Sequence, residues 1–233
     1  MLIGVASQLG WGDKHKDEAA LRNLPINVAL QLKKERDTYL QAFERWNTAF
    51  QPLLAESLKD YNTKATKSAA LALDIRWECL SATLSVNHFL GEMEYDNIKA
   101  KFERVISIGR EIVNYEEDTA DAKYSSQGAL ILSFYSVALK CRDRKIRRDA
   151  LELMEAKPRR EGVIDSAFQA RIARLQMEIE EFGIGEDEVI PEENRIRAIK
   201  SRADMLTRKG HMKFLKKDKI SGEFQHHQIN FTF

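Results

Sequence analysis

From Gln127 to Lys140 the chain offers water almost nothing. Ala129, Leu130, Ile131, Leu132, Phe134, Tyr135, Val137, Ala138 and Leu139 follow one another nearly without interruption. At about fourteen residues the segment is too short to cross a bilayer, which takes roughly twenty. A helix that is apolar on every side has to be enclosed by other elements. The segment therefore reads as a helix buried all round, and its length argues against a membrane protein.

The flanking sequence reads as helical as well. Only four prolines occur, three of them Pro25, Pro52 and Pro158, and long stretches rich in Ala, Leu, Glu, Lys and Arg favour helix over the first three quarters. Pro25 and Pro52 bracket a first helix. In it Leu32, Arg36, Tyr39, Leu40, Phe43, Trp46 and Phe50 recur at three- and four-residue spacing, which predicts a wide buried stripe. A second helix is predicted from about Thr66 to Leu90, with Ala69, Leu73, Trp77, Leu80, Leu84 and Phe89 in period and Gly91 as its stop. Its apolar residues occupy more than one face, as in a central helix. A third, from about Asp96 to Tyr115, carries Ile98, Phe102, Val105, Ile106 and Ile112, and Asp118 to Ser126 reads as a polar loop. A short charged helix ends near Ala156 before the Pro158 break. The last opens at Ser166, with Gln169 in capping-box position, and closes at Gly183 and Gly185.

After Pro191 the period shortens to two. Ile196 to Ala203 and His211 to Leu215 read as strands about a Lys209-Gly210 turn, and Ile229, Phe231 and Phe233 alternate with Asn230 and Thr232. The expected fold is mainly α: a multi-helical bundle or short helical solenoid with a small C-terminal antiparallel β-meander. Residues 1–190 are expected to form the helical domain and residues 191–233 a β-rich extension packed on it. The 233 residues, 43% of them apolar, are enough for such a core.

Net charge is +1, which disfavours a generic polyanion binder. The charges are nevertheless blocked. Lys140 to Arg174 holds eleven bases and six acids, Glu178 to Glu193 eight acids and no base, and Arg195 to Lys219 ten bases and two acids. Such blocks pair across a fold or stay solvated, and the sharper reading is a basic face that meets an acidic partner. Two distant cysteines, Cys79 and Cys141, give no disulfide framework and fit a reducing compartment, nucleus or cytoplasm. The apolar start MLIGVASQLGWG has no positive leader and does not read as a signal peptide.

The segment Lys140 to Ser166, KCRDRKIRRDALELMEAKPRREGVIDS, has an order of charge, proline and glycine too particular for generic helix surface. Cys141, Arg142 and Asp143 are followed by the pair Arg147 and Arg148, then by Pro158, Arg159, Arg160, Glu161 and Gly162, and then by Asp165 and Ser166. This order resembles the C-terminal part of the regulatory region of fungal transcription factors that bind DNA through a six-cysteine binuclear zinc cluster. Arg144 and Ile164 depart from it, where the family usually carries proline and tryptophan. The resemblance extends upstream through Glu44 to Leu54, Leu71 to Leu84 and Glu94 to Ile108, and downstream to the chain end. It implies a role in regulation of RNA polymerase II transcription, with metabolic genes as candidate targets, through protein partners such as related transcription factors or through a small-molecule effector. The cluster itself needs six closely spaced thiolates. With two cysteines this chain cannot build it, so no direct DNA binding by this chain is expected, and no metal or cofactor.

Two readings of the segment compete. Lys140, Arg142, Arg147, Arg148, Arg159 and Arg160 form an anion or partner site, or they pair with Asp143, Asp149, Glu161 and Asp165 and lock a buried corner, the favoured reading. Gly162 suits a tight turn, and Pro158 stops a helix.

Other chemistry finds little support, and no catalytic residue is expected. His88 and Glu92 lie four apart without a second histidine. His226 and His227 are strand neighbours pointing to opposite faces, with His211 able to join only one of them. No Gly-x-Ser-x-Gly elbow occurs. Cys79 reads as core, and Cys141, between Lys140 and Arg142, has a lowered pKa only if exposed. Trp46, Trp77, Phe102, Phe134 and Tyr135 line a small-molecule pocket or, more simply, the core. The competing functional class is a helical ligand-binding protein or an enzyme recruited to a biosynthetic pathway.

Overall fold

In the computed structural model, residues 25–86, 91–115, 123–125 and 130–233 are described. The chain is mainly α, with a small C-terminal antiparallel sheet. Helix α1 (Ile26–Ser57) runs through Pro52. A proline forfeits its own N–H bond, yet Phe50 and Leu54 on either side are buried and hold the helix on course. The expected stop at Pro52 is thus displaced to Ser57. The expected stripe is also shorter: within α1 only Phe50, Leu54 and Ser57 are buried, whereas Ile26, Leu30, Trp46 and Leu53 are exposed.

Helix α2 (Lys64–Ser85) is capped by Thr63, whose hydroxyl accepts from the Thr66 N–H at 3.1 Å. Its period is as predicted but its phase is turned. Ala70, Leu71, Asp74, Ile75, Ser81 and Ala82 face inward, while Leu73 and Leu80 are exposed. Asp74 explains the turn, because its buried carboxylate meets the Arg104 guanidinium at 3.1 Å. Leu90 and Phe89 lie outside the described residues. Gly91, at φ 100°, precedes a 3-10 turn (Glu92–Ile98) in place of ending a helix, and α3 (Lys99–Tyr115) follows. Phe102, Val105, Ile106 and Ile112 of α3 are buried as expected.

Strand β1 (Lys123–Ser125) lies where a polar loop was expected. The apolar segment becomes α4 (Leu130–Lys140), and it is α4, not α2, that occupies the centre: it packs on α2, α3, α5 (Arg144–Ala156) and α6 (Ser166–Glu181). Enclosure is nearly complete, Leu132 alone among its large apolar residues remaining well exposed. Between α5 and α6, β2 (Arg159–Glu161) and β3 (Ile164–Asp165) form a hairpin, and β1 pairs with β2 in parallel. The helices surround one apolar cluster, which favours the bundle over a stacked solenoid.

After a 3-10 turn (Glu192–Asn194), β4 (Arg197–Asp204), β5 (Lys209–Lys217) and β6 (Phe224–Thr232) form an antiparallel sheet in chain order. The first turn centres on Met205 to Arg208, with Arg208 at φ 50°, so Lys209 and Gly210 belong to β5 and not to the turn. The sheet's inner face, with Met212, Phe214 and Phe231, packs on Ile172 and Leu175 of α6 in a second cluster. Tyr135 of α4 contacts both clusters.

Gly109 sets the spacing of α3 and α4. A Cβ there would lie 2.3 Å from Cε1 of Phe134, a ring that is itself buried. Overpacking of this kind costs about 1–3 kcal/mol, set against about 1 kcal/mol of helix propensity gained over glycine. Gly109→Ala is expected to lower stability in urea unfolding, and adding Phe134→Leu to recover part of the loss.

Candidate functional site

The residues from Lys140 to Ser166 converge, with α6, on one carboxylate that the sequence did not single out. Glu180 is fully buried. Its Oε1 accepts from Arg142 Nη2 at 2.9 Å, from Gln176 Nε2 at 2.8 Å and from the Ile196 N–H at 3.0 Å. Its Oε2 lies 2.9 Å from Arg147 Nη2, and its backbone carbonyl accepts from Asn194 Nδ2 at 3.1 Å. Arg147, equally buried, donates through Nε to the Ala138 carbonyl near the C-terminus of α4, and Arg142 donates to the Lys140 carbonyl. Two guanidiniums thus close the end of α4, where the helix dipole is negative.

A second carboxylate extends the network. Glu92 meets Lys140 Nζ at 2.7 Å and Arg142 Nη2 at 3.1 Å. Burial works against its charge, but Lys140 and Arg142 outweigh it and hold the carboxyl below its ordinary value of 4.5. Burial likewise opposes charge on Arg142, and Glu180 and Glu92 overcome it. Beside them Arg195, fully buried, grips Asp96 through two bonds of 3.0 and 2.7 Å and donates to the Ile190 and Glu92 carbonyls. Arg148, more exposed, reaches Glu181 at 3.4 Å.

Three of the acids expected to pair with these arginines, Asp143, Glu161 and Asp165, each satisfy a helix start. Asp143 accepts from the Ile146 N–H at the start of α5 and also pairs with Lys99. Asp165, not Ser166, caps α6 by accepting from the Phe168 N–H. Glu161 crosses from β2 to accept from the Leu130 and Ile131 N–H groups at the start of α4. Asp149 joins Arg110 and Lys145. The Ser166 hydroxyl accepts from the Arg159 N–H, Arg159 itself is buried, and Arg160 is exposed. Gly162 turns the β2–β3 hairpin at φ 60°, and α5 ends at Ala156, just before Pro158.

Cys141 is buried, and burial pushes its thiol up to about 11, the opposite of an activated thiolate. Burial also raises the Cys79 thiol. His226 and His227 stand opposite Leu215 and Phe214, and His211 opposite Asn230, so the three do not meet; His88 lies outside the described residues. Phe102 and Phe134 are core, Trp77 donates to the Phe43 carbonyl, and Trp46 stacks on Phe50. None of them lines the open depression of about 430 Å³ beside the corner, bounded by Tyr95, Lys99, Asp143, Arg144 and Asp187. Chemically, the corner holds charges in mutual neutralisation and presents Arg142, Arg147 and Arg195 to internal partners. No family model, no curated protein and no solved structure matches this chain.

Glu180→Ala leaves two guanidiniums facing each other in a dry site. Breaking a buried pair from one side costs about 3–5 kcal/mol, to be read as a lowered denaturant midpoint at unchanged slope. Glu92 supplies a pH signature. Its folded value lies below 4.5, so its contribution is present above that pH and lost as pH falls through the folded value. Glu92→Gln is expected to lower stability at pH 7 and to flatten the wild-type decline below about pH 4.5.

Proposed function

We propose that this chain is a regulatory domain of the kind found in fungal binuclear-zinc-cluster transcription factors. In this reading it acts in control of RNA polymerase II transcription through protein or small-molecule contacts, without a zinc cluster of its own. What supports the reading is that the ordered residues from Lys140 to Ser166 serve one fold-defining corner: Asp143, Glu161 and Asp165 each satisfy a helix start, and Arg142 and Arg147 share Glu180. A resemblance carried by residues with interlocking tasks bears on the whole domain and not on a stretch of surface. The open depression beside the corner, bounded by Lys99, Arg144 and Asp187, favours a polar small-molecule effector as the second reading.

The test is to tether the full chain to an unrelated DNA-binding domain in a fungal cell and read a reporter gene. A several-fold change in transcription, reduced by Glu180→Ala, is the expected outcome. An unchanged reporter at verified expression overturns the proposal.

A further inference from the structure

The C-terminal sheet has two faces of opposite character. Met212, Phe214 and Phe231 turn toward α6. On the other face the register sets Lys200 opposite Lys213, Arg202 opposite His211 and Asp204 opposite Lys209, with Gln228 and Asn230 alongside. Lys200, Arg202, Lys209 and Lys213 are all exposed. Like charges directly opposite each other weaken a ladder. The Asp204 carboxylate accepts from the Leu206 and Thr207 N–H groups of its own turn. Among the described residues no carboxylate pairs with Arg202, Lys209 or Lys213. The strands thus gather Arg202, Lys209 and Lys213 on one face with Asp204 as the carboxylate in the register, so the face is predominantly basic.

The matching surface is in the same chain. Between α6 and the sheet, Glu186, Asp187 and Glu188 are exposed, and Phe182 and Val189 beside them are 83% and 72% exposed. The basic face has its own apolar flank in Leu206, 95% exposed, and Met205. Within one molecule the two surfaces lie toward opposite ends of α6. Phe168 at the start of α6 stacks on Phe231, and Arg171 borders the depression lined by Arg202 and Lys209. At the far end the Ile179 carbonyl meets Lys216. The 16 residues of α6 span roughly 24 Å at about 1.5 Å each.

We propose that the chain associates with a second copy of itself, the acidic segment Phe182–Val189 of one molecule docking on the basic face of the β4–β5 hairpin of the other. This inference is independent of the transcriptional reading. Charge complementarity and an exposed apolar residue on each side favour it, and a net charge of +1 leaves little repulsion to overcome. Unpaired nucleic acid is the poorer occupant. It stacks on aromatic platforms, but Phe214 and Phe231 face the core and the Phe224 ring is covered by the Arg197 guanidinium.

Sedimentation velocity on the full chain tests this. Association that rises with concentration at low ionic strength is expected, weakening toward about 1 M salt, where the screening length falls to about 3 Å. Arg202→Glu with Lys213→Glu, and separately Glu186→Lys with Asp187→Lys, are each expected to weaken it about tenfold or more. These side chains are exposed, and unchanged circular dichroism would verify the fold. An equimolar mixture of the two variants restores opposite charges at each contact and is expected to associate again. A monomer under all conditions, or association indifferent to both reversals, overturns the proposal. So does a monomer that binds a duplex oligonucleotide and loses it in the Arg202→Glu, Lys213→Glu variant, which assigns the face to nucleic acid.

Discussion

The corner of this protein is organised by a carboxylate with no access to water. A charge in such a place is tolerated only when donors surround it, and Glu180 collects them from four parts of the chain: Arg142 after α4, Arg147 on α5, Gln176 on α6 and the backbone of Ile196 entering the sheet. Because guanidinium and carboxylate geometry is directional, these contacts fix orientation as well as distance. The apolar clusters on either side supply most of the cohesion, but apolar packing alone tolerates sliding. Glu180 removes that freedom.

The helical architecture was legible because long apolar periods leave few alternatives. On α3, Phe102, Val105, Ile106 and Ile112 were read correctly while the buried Ile108 was missed and Ile98 falls in the preceding 3-10 turn; the C-terminal meander was read from its alternation. Phase was less legible. In α2 the apolar residues occupy more than one face, and the choice was made by Asp74, a polar residue whose partner Arg104 lies on another helix. The centre was misplaced for a related reason: α4 is shorter than α2, and enclosure depends on neighbours that periodicity does not name. In α1 the periodic stripe continues past the region that anything among the described residues covers.

At the corner, the sequence identified the cations and the idea of a buried lock, but not Glu180, the counter-ion that Arg142 and Arg147 share. Asp143, Glu161 and Asp165 sit close in sequence to the arginines and were natural partners on that ground. They are short or extended acids next to helix starts, and orphan N–H groups compete for them strongly. Glu180 lay beyond reach of local reasoning, in an acidic block that reads as solvated surface. The available signal was its spacing: four residues after Gln176 on an otherwise amphipathic helix, it falls on the inward side with Ile172, Ala173 and Met177.

The reach of Glu180 to Ile196 also has a bearing on the order in which the molecule can be completed. During synthesis Arg142 after α4 and Arg147 on α5 leave the ribosome 38 and 33 residues ahead of their carboxylate, and the carboxylate precedes its last donor by sixteen. Until the sheet begins to form, the helical body carries an open seam at its most highly charged point. The entry to the C-terminal strands is therefore the closing stitch of the helical fold, and the corner is complete only once Ile196 has been made.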